Sequence, residues 1–120
     1  MWQRTADVDF LYIEDVVGQP VNEVVFVMDY LQVGFNGPHF TLMGKLSIIT
    51  IDEEFSDGDP RFEHAARGLI GQSFLSVEDI RQQGFLLKFS NGFALSVIYT
   101  GPEALHYWNN TNGSVRSWYI

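Results

Sequence analysis

Two stretches of the chain carry one pattern. Residues 18–42 read "GQPVNEVVFVMDYLQVGFNGPHFTL" and residues 71–97 read "GQSFLSVEDIRQQGFLLKFSNGFALSV". Each opens on Gly-Gln, runs through an apolar stretch and ends in two alternating segments around an Asn-Gly turn. This repeat constrains the fold more than any single motif. A unit of ~40 residues cannot cover both faces of its own sheet, and a second copy supplies the missing cover.

Phe85, Leu87 and Phe89, and then Phe93, Leu95 and Val97, alternate as a half-buried antiparallel hairpin requires. Asn36-Gly37 and Asn91-Gly92 suit the turns, because both residues tolerate positive φ. Leu87 and Phe89, with Val33 and Phe35 as their counterparts, are expected in one core.

A helix-like segment precedes each copy. In "DVDFLYIEDVV", Phe10, Ile13 and Val17 recur at helical spacing with Leu11 beside them, Asp7 or Asp9 as the cap and Gly18 as the stop. In "DPRFEHAARGLIG", Asp59 is the N-cap, Pro60 the first helical residue and Gly71 the terminator. Phe62, Ala65, Ala66, Leu69 and Ile70 form its apolar face. Further strands are expected at 45–51 and in "SVRSWYI". The expected fold is therefore α+β: a duplicated αβββ unit, mostly antiparallel sheet with two helices packed on it. It forms one domain, 1–120, with pseudo-repeats at 7–51 and 59–99 and a C-terminal hairpin at 104–120.

Composition narrows the function classes. With 46% hydrophobic residues and ten phenylalanines, the chain can build a core, which argues against a disordered segment. Cysteine is absent, so disulfides, thiol catalysis and thiolate metal sites are excluded. The formal net charge is −8 with only seven Lys and Arg, too few to neutralise a phosphate backbone, so no nucleic-acid partner is expected. The start "MWQRTADVDF" lacks the basic and apolar regions of a signal peptide, and no apolar run reaches membrane length. A cytoplasmic protein that needs no membrane follows as the expectation.

Two segments fall outside the repeat. In "IDEEFSDGDP" and the residues after it, Asp52, Glu53, Glu54, Asp57, Asp59 and Glu63 set six carboxylates against Arg61 alone. They read either as a solvated linker whose last residues cap a helix or as a docking surface for a basic partner. A Ca²⁺ loop is disfavoured because the EF-hand order is not met. In "ALHYWNNTNGSVRSWYI", Tyr107, Trp108 and Trp118 crowd a hairpin around Asn112-Gly113. Such aromatics either pair across strands or form a recognition surface. The candidate partner-binding residues are thus Asp52, Glu53, Glu54, Asp57, Asp59, Tyr107, Trp108 and Trp118. The acidic group is favoured, since six carboxylates exceed what capping one helix requires.

Catalytic signals are thin. His39, His64 and His106 have no second histidine or carboxylate at ligand spacing. Gly34 and Gly37 lie in a hairpin without the lysine and helix of a phosphate loop, and no nucleophile elbow is present. The expectation is no enzyme, no metal and no cofactor.

Leu69, Gly71, Val77, Leu87, Phe89, Ser90, Gly92, Leu95 and Val97 carry a pattern that resembles small uncharacterised bacterial proteins, domains of unknown function with a Gly-led strand followed by "LxFSxG". Asn91 stands where that pattern has Asp, a neutral exchange in a turn. The resemblance implies structural residues only and assigns no site. Compact acidic proteins of this kind neighbour toxin systems as immunity proteins, which is an analogy of fold and not of chemistry.

The expected function is a cytoplasmic, non-catalytic protein-binding module, immunity-like, taking a basic partner. The alternative is a small-ligand carrier holding its ligand between the two pseudo-symmetric halves. A homodimer through the C-terminal edge strand is expected, because "SWYI" has no gatekeeping Lys or Pro.

Overall fold

The computed structural model describes residues 16–27, 30–80, 83–101, 104–109 and 116–119. Among the described residues, ten strands form two five-stranded antiparallel sheets. The first sheet contains β1 (Glu23–Val27), β2 (Tyr30–Gly34), β3 (Pro38–Leu42), β9 (Leu105–Asn109) and β10 (Arg116–Tyr119), in the order β1-β2-β3-β9-β10. The second contains β4 (Lys45–Ile49), β5 (Glu54–Ser56), β6 (Phe74–Asp79), β7 (Gly84–Phe89) and β8 (Ala94–Ile98), in the order β5-β4-β8-β7-β6. One helix, α1 (Pro60–Arg67), is present among the described residues.

The expected α+β unit with two helices on a sheet is thus corrected to a β fold with one short helix. One misreading accounts for much of the difference, and one expected element lies almost wholly outside the described residues. Each repeat continues beyond three strands, and the acidic "EFS" forms β5 with only Phe55 turned inward, a signal hidden by the flanking carboxylates. The first expected helix lies at residues 7–17, of which only Val16 and Val17 are described, in a turn with Val16 buried. Among the described residues no helix is long and apolar enough to cross a membrane.

The wiring has a pseudo-twofold form. Each sheet takes a three-strand meander from one part of the chain and a hairpin from the other, so β9–β10 complete the first sheet as β4–β5 complete the second. Registers correspond as well. Leu42 pairs with Leu105 where Val97 pairs with Leu46, and Phe40 pairs with Tyr107 where Leu95 pairs with Ile48. The unit of correspondence therefore has five strands.

The Gly-Gln motifs meet at the centre of this arrangement. The Gly18 amide donates to the Phe74 carbonyl and the Gly71 amide to the Val21 carbonyl. The Phe74 amide donates to Gln19, and the Val21 amide to Gln72. Both glycines have φ near +90°, which an L side chain rarely adopts. Val17 and Ile70, which precede them, are each 46% exposed. Ile70 is therefore not on the buried helix face expected for it, because α1 ends at Arg67 and the chain turns before reaching it.

The sheets pack inner face to inner face. Phe74 packs edge-on against Phe35 and Phe40 of the first sheet and Phe89 of the second, with centroids 5.5–6.1 Å apart. Val33, Phe35, Leu87 and Phe89 are all buried in this core. Helix α1 closes one open side, touching β1 of the first sheet and β4 and β5 of the second. Asp59 caps it by accepting from the Arg61 amide, and Phe62 meets Phe26 edge-on at 6.2 Å.

Candidate functional site

The groove lies where α1 meets the two sheets. It has a volume of about 340 Å³. Alternation along β1 and β2 brings Phe26 and Leu31 to it, β4 contributes Leu46, and the first turn of α1 contributes Phe62. These apolar side chains meet Asp57, Asp59 and Glu63, and half-buried Tyr30 and the turn at Gly58 also line it. Residues on both sides of the pseudo-twofold supply the walls.

The rim carboxylates are not equivalent. Asp59 accepts from Arg61 Nε at 3.1 Å and Nη2 at 2.9 Å, besides capping α1. Those Arg61 hydrogen bonds hold its carboxyl below the usual carboxylate range. Arg61 also lies 4.7 Å over the Phe55 ring. Glu63 pairs with Arg67 at 3.2 Å, one helical turn on, and Arg67 covers the Phe26 ring at 4.9 Å. Asp57 makes no side-chain hydrogen bond or ion pair with any described residue. A guest cation would meet Asp57 first. Both arginines are more than half exposed, so solvent screens these ion pairs.

The acidic residues singled out by sequence are distributed over three places. Asp57 and Asp59 line the groove. Asp52 and Glu53 stand exposed at the β4–β5 turn, where the Glu53 amide donates to Thr50 Oγ1. Glu54 lies on the outer face of the second sheet, accepting from the Ser47 hydroxyl at 2.7 Å. No group of three His, Cys, Asp or Glu among the described residues is placed to hold a metal ion.

The aromatic residues are divided too. Tyr107 is wholly buried against Phe40, centroids 5.6 Å apart, which corrects its assignment to a recognition surface. Strand alternation is the reason: Tyr107 points inward and its neighbour Trp108 outward. Trp118 pairs with Tyr107 through its backbone, and its side chain lies outside the described residues.

Half-buried Trp108 sits beside two histidines on the outer face of the first sheet, near-parallel to His39 at 6.4 Å and edge-on to His106 at 6.3 Å. Burial, reinforced by the charge of His106, lowers the His39 pKa, and Glu23 opposes them. Glu23 lies across Gly34, where a Cβ would stand 2.8 Å from Glu23 Cγ.

Sequence reasoning missed Phe26, Leu31, Leu46, Phe62 and Glu63 as lining residues. Phe62 was legible only as a core residue, and no local spacing links β1 and β2 to the residues around Asp59. Comparison with protein-family models, with curated proteins and with solved structures found no match.

Proposed function

We propose that the protein is a non-catalytic, cytoplasmic recognition module that takes a basic partner at the groove beside α1. An immunity-like role is one form of this reading. The observation that supports it is the combination of an apolar floor, Phe26 and Phe62, with rim carboxylates of which Asp57 is left uncommitted among the described residues. A lysine or arginine side chain suits such a site. Its aliphatic stem would lie along the part of half-buried Phe26 that Arg67 leaves open, and its charge would reach the rim. The net charge of −8 adds long-range attraction for the same partner.

The test uses an arginine-rich peptide and an acidic peptide of equal length, titrated by calorimetry at about 50 and 500 mM salt, between which the screening length shrinks severalfold. Binding of the basic peptide alone, weakening with salt, is expected. The double variant Asp57→Asn and Asp59→Asn should weaken it about tenfold or more, the scale of losing one or two charge-assisted contacts. Equal binding of both peptides, or indifference to salt, removes the basic partner.

One observation favours a small-ligand reading as well. The groove lies between the two parts of the pseudo-symmetric chain, at the small end of the roughly 300–1,000 Å³ range of ligand sites. A free amine such as a diamine, binding as well as the peptide, would favour that reading.

A further inference from the structure

We propose that the chain behaves as two interlocked units joined by one hinge, and that each unit accepts the complementary unit of a second copy to form an exchanged dimer. The units are β1–β5 with the turn before them, and α1 with β6–β10. Neither sheet belongs to one unit. The pairings β3 with β9 and β4 with β8 each join strands from different units, over five residue pairs apiece. The four Gly-Gln backbone bonds also cross from one unit to the other, as do the Phe40–Phe74 and Phe40–Tyr107 contacts. All of these are satisfied equally by a unit on another chain, which presents the same residues in the same register. Complementarity to a second copy is thus built into the surface.

The covalent connection between the units is short. Between the end of β5 and the start of α1 lie only Asp57, Gly58 and Asp59. They reverse the chain in a turn closed by the Asp59 amide on the Ser56 carbonyl, with Gly58 at φ +101°. Short hinge turns favour exchange, because extending them between two modules relieves the reversal. What keeps the chain closed is the high local concentration of its own second unit, in the millimolar range for a short connection. Exchange is therefore favoured when chains refold together at comparable concentration. Opening this hinge also removes one wall of the groove, since Asp57, Gly58 and Asp59 line it. This dimer differs from one made by edge-strand pairing, which leaves every chain closed.

The chain has no cysteine, so introduced thiols report without interference. Ser47 of β4 and Ser96 of β8 are direct cross-strand neighbours from different units. Chains carrying Ser47→Cys and chains carrying Ser96→Cys are mixed, unfolded, refolded together at about 0.5 mM, near the local concentration of a short connection, and oxidised. An interchain disulfide joining one of each is expected on a denaturing gel, while the same chains mixed after folding give none. The same pair with Gly58 deleted should give several times more, and with four Gly-Ser residues inserted after Gly58 several times less. The double variant in one chain, refolded dilute, must form its internal disulfide, which shows that the pair is geometrically competent. Given that bond, the absence of mixed disulfide after concentrated refolding of the full-length connection overturns the proposal. So does a yield unaffected by insertion.

Discussion

On the inner faces of the two sheets, corresponding positions hold the same kind of residue. Val33 against Phe40 in the first sheet matches Leu87 against Leu95 in the second, and Leu31 against Leu42 matches Phe85 against Val97. On the outer faces they do not. Where the first sheet has Glu23 beside Gly34 the second has Ser76 beside Lys88, and where the first has His39 beside Trp108 the second has Ala94 beside Ile49. The wiring and the core are shared, and the exposed chemistry is individual. Inner positions answer to packing across a common interior, where apolar volume is what matters. Outer positions do not face that interior, so the His39, His106 and Trp108 cluster, which has no counterpart among the described residues of the second sheet, is not an echo of the fold.

The largest effects should follow changes to the shared part. Phe40→Ala is expected to cost about 3–5 kcal/mol and Leu95→Ala about 2–5 kcal/mol, the ranges for truncating buried aromatic and aliphatic side chains. Urea denaturation measures both. A full loss at one position and an unmoved midpoint at the other would break the correspondence of the inner faces.

Two glycines give a sharper and smaller contrast. A Cβ at Gly84 would lie 2.0 Å from the Val97 carbonyl oxygen, which is backbone of the neighbouring strand, so β7 and β8 must part. Gly84→Ala should lower stability by about 1–3 kcal/mol, as overpacking does. At Gly34 the obstacle is the Glu23 side chain, which can swing aside, and Lys88 shows that the second sheet accepts a full side chain at the corresponding position. Gly34→Ala should change stability by less than about 1 kcal/mol, because alanine suits a strand better than glycine. Thermal melts of the two variants side by side decide it, and equal losses would remove the distinction.

The smallest effect is a pH dependence tied to the outer face of the first sheet. Because the folded state holds His39 below its ordinary value, the unfolded chain takes up the proton first. Stability is then fully present above about pH 6.5, the ordinary histidine value, and declines as the pH falls through the lowered one. His39→Gln should flatten that slope. Glu23 acts in the opposite direction, so Glu23→Gln should lower the His39 pKa further, a shift read directly from its imidazole NMR signals. An upward shift would show that Glu23 is not the carboxylate felt by His39.

Much of the β framework was legible residue by residue. The alternation of Phe85, Leu87 and Phe89 and of Phe93, Leu95 and Val97, and the cap at Asp59 ahead of Pro60, rest on rules that act within a few residues. The exchange of hairpins between the sheets was not legible, because β3 with β9 is a pairing between distant segments chosen by the shared interior. The groove was half legible for the same reason. Asp57 and Asp59 announced themselves by charge. Phe26 and Phe62 each read as ordinary core residues, and only the docking of α1 against β1 makes them a floor. At Tyr107 and Trp108, composition drew attention to both, and strand parity then separated them.

The interleaving of the two units has a consequence for the order of synthesis. As the chain leaves the ribosome, β3 waits for β9 and β4 waits for β8, so neither sheet can close while only the first unit has emerged. Phe40, Leu42, Leu46 and Ile48 must stay uncovered through that interval. At about 5–20 residues per second it lasts several seconds, during which the net negative charge of the chain opposes association with its neighbours.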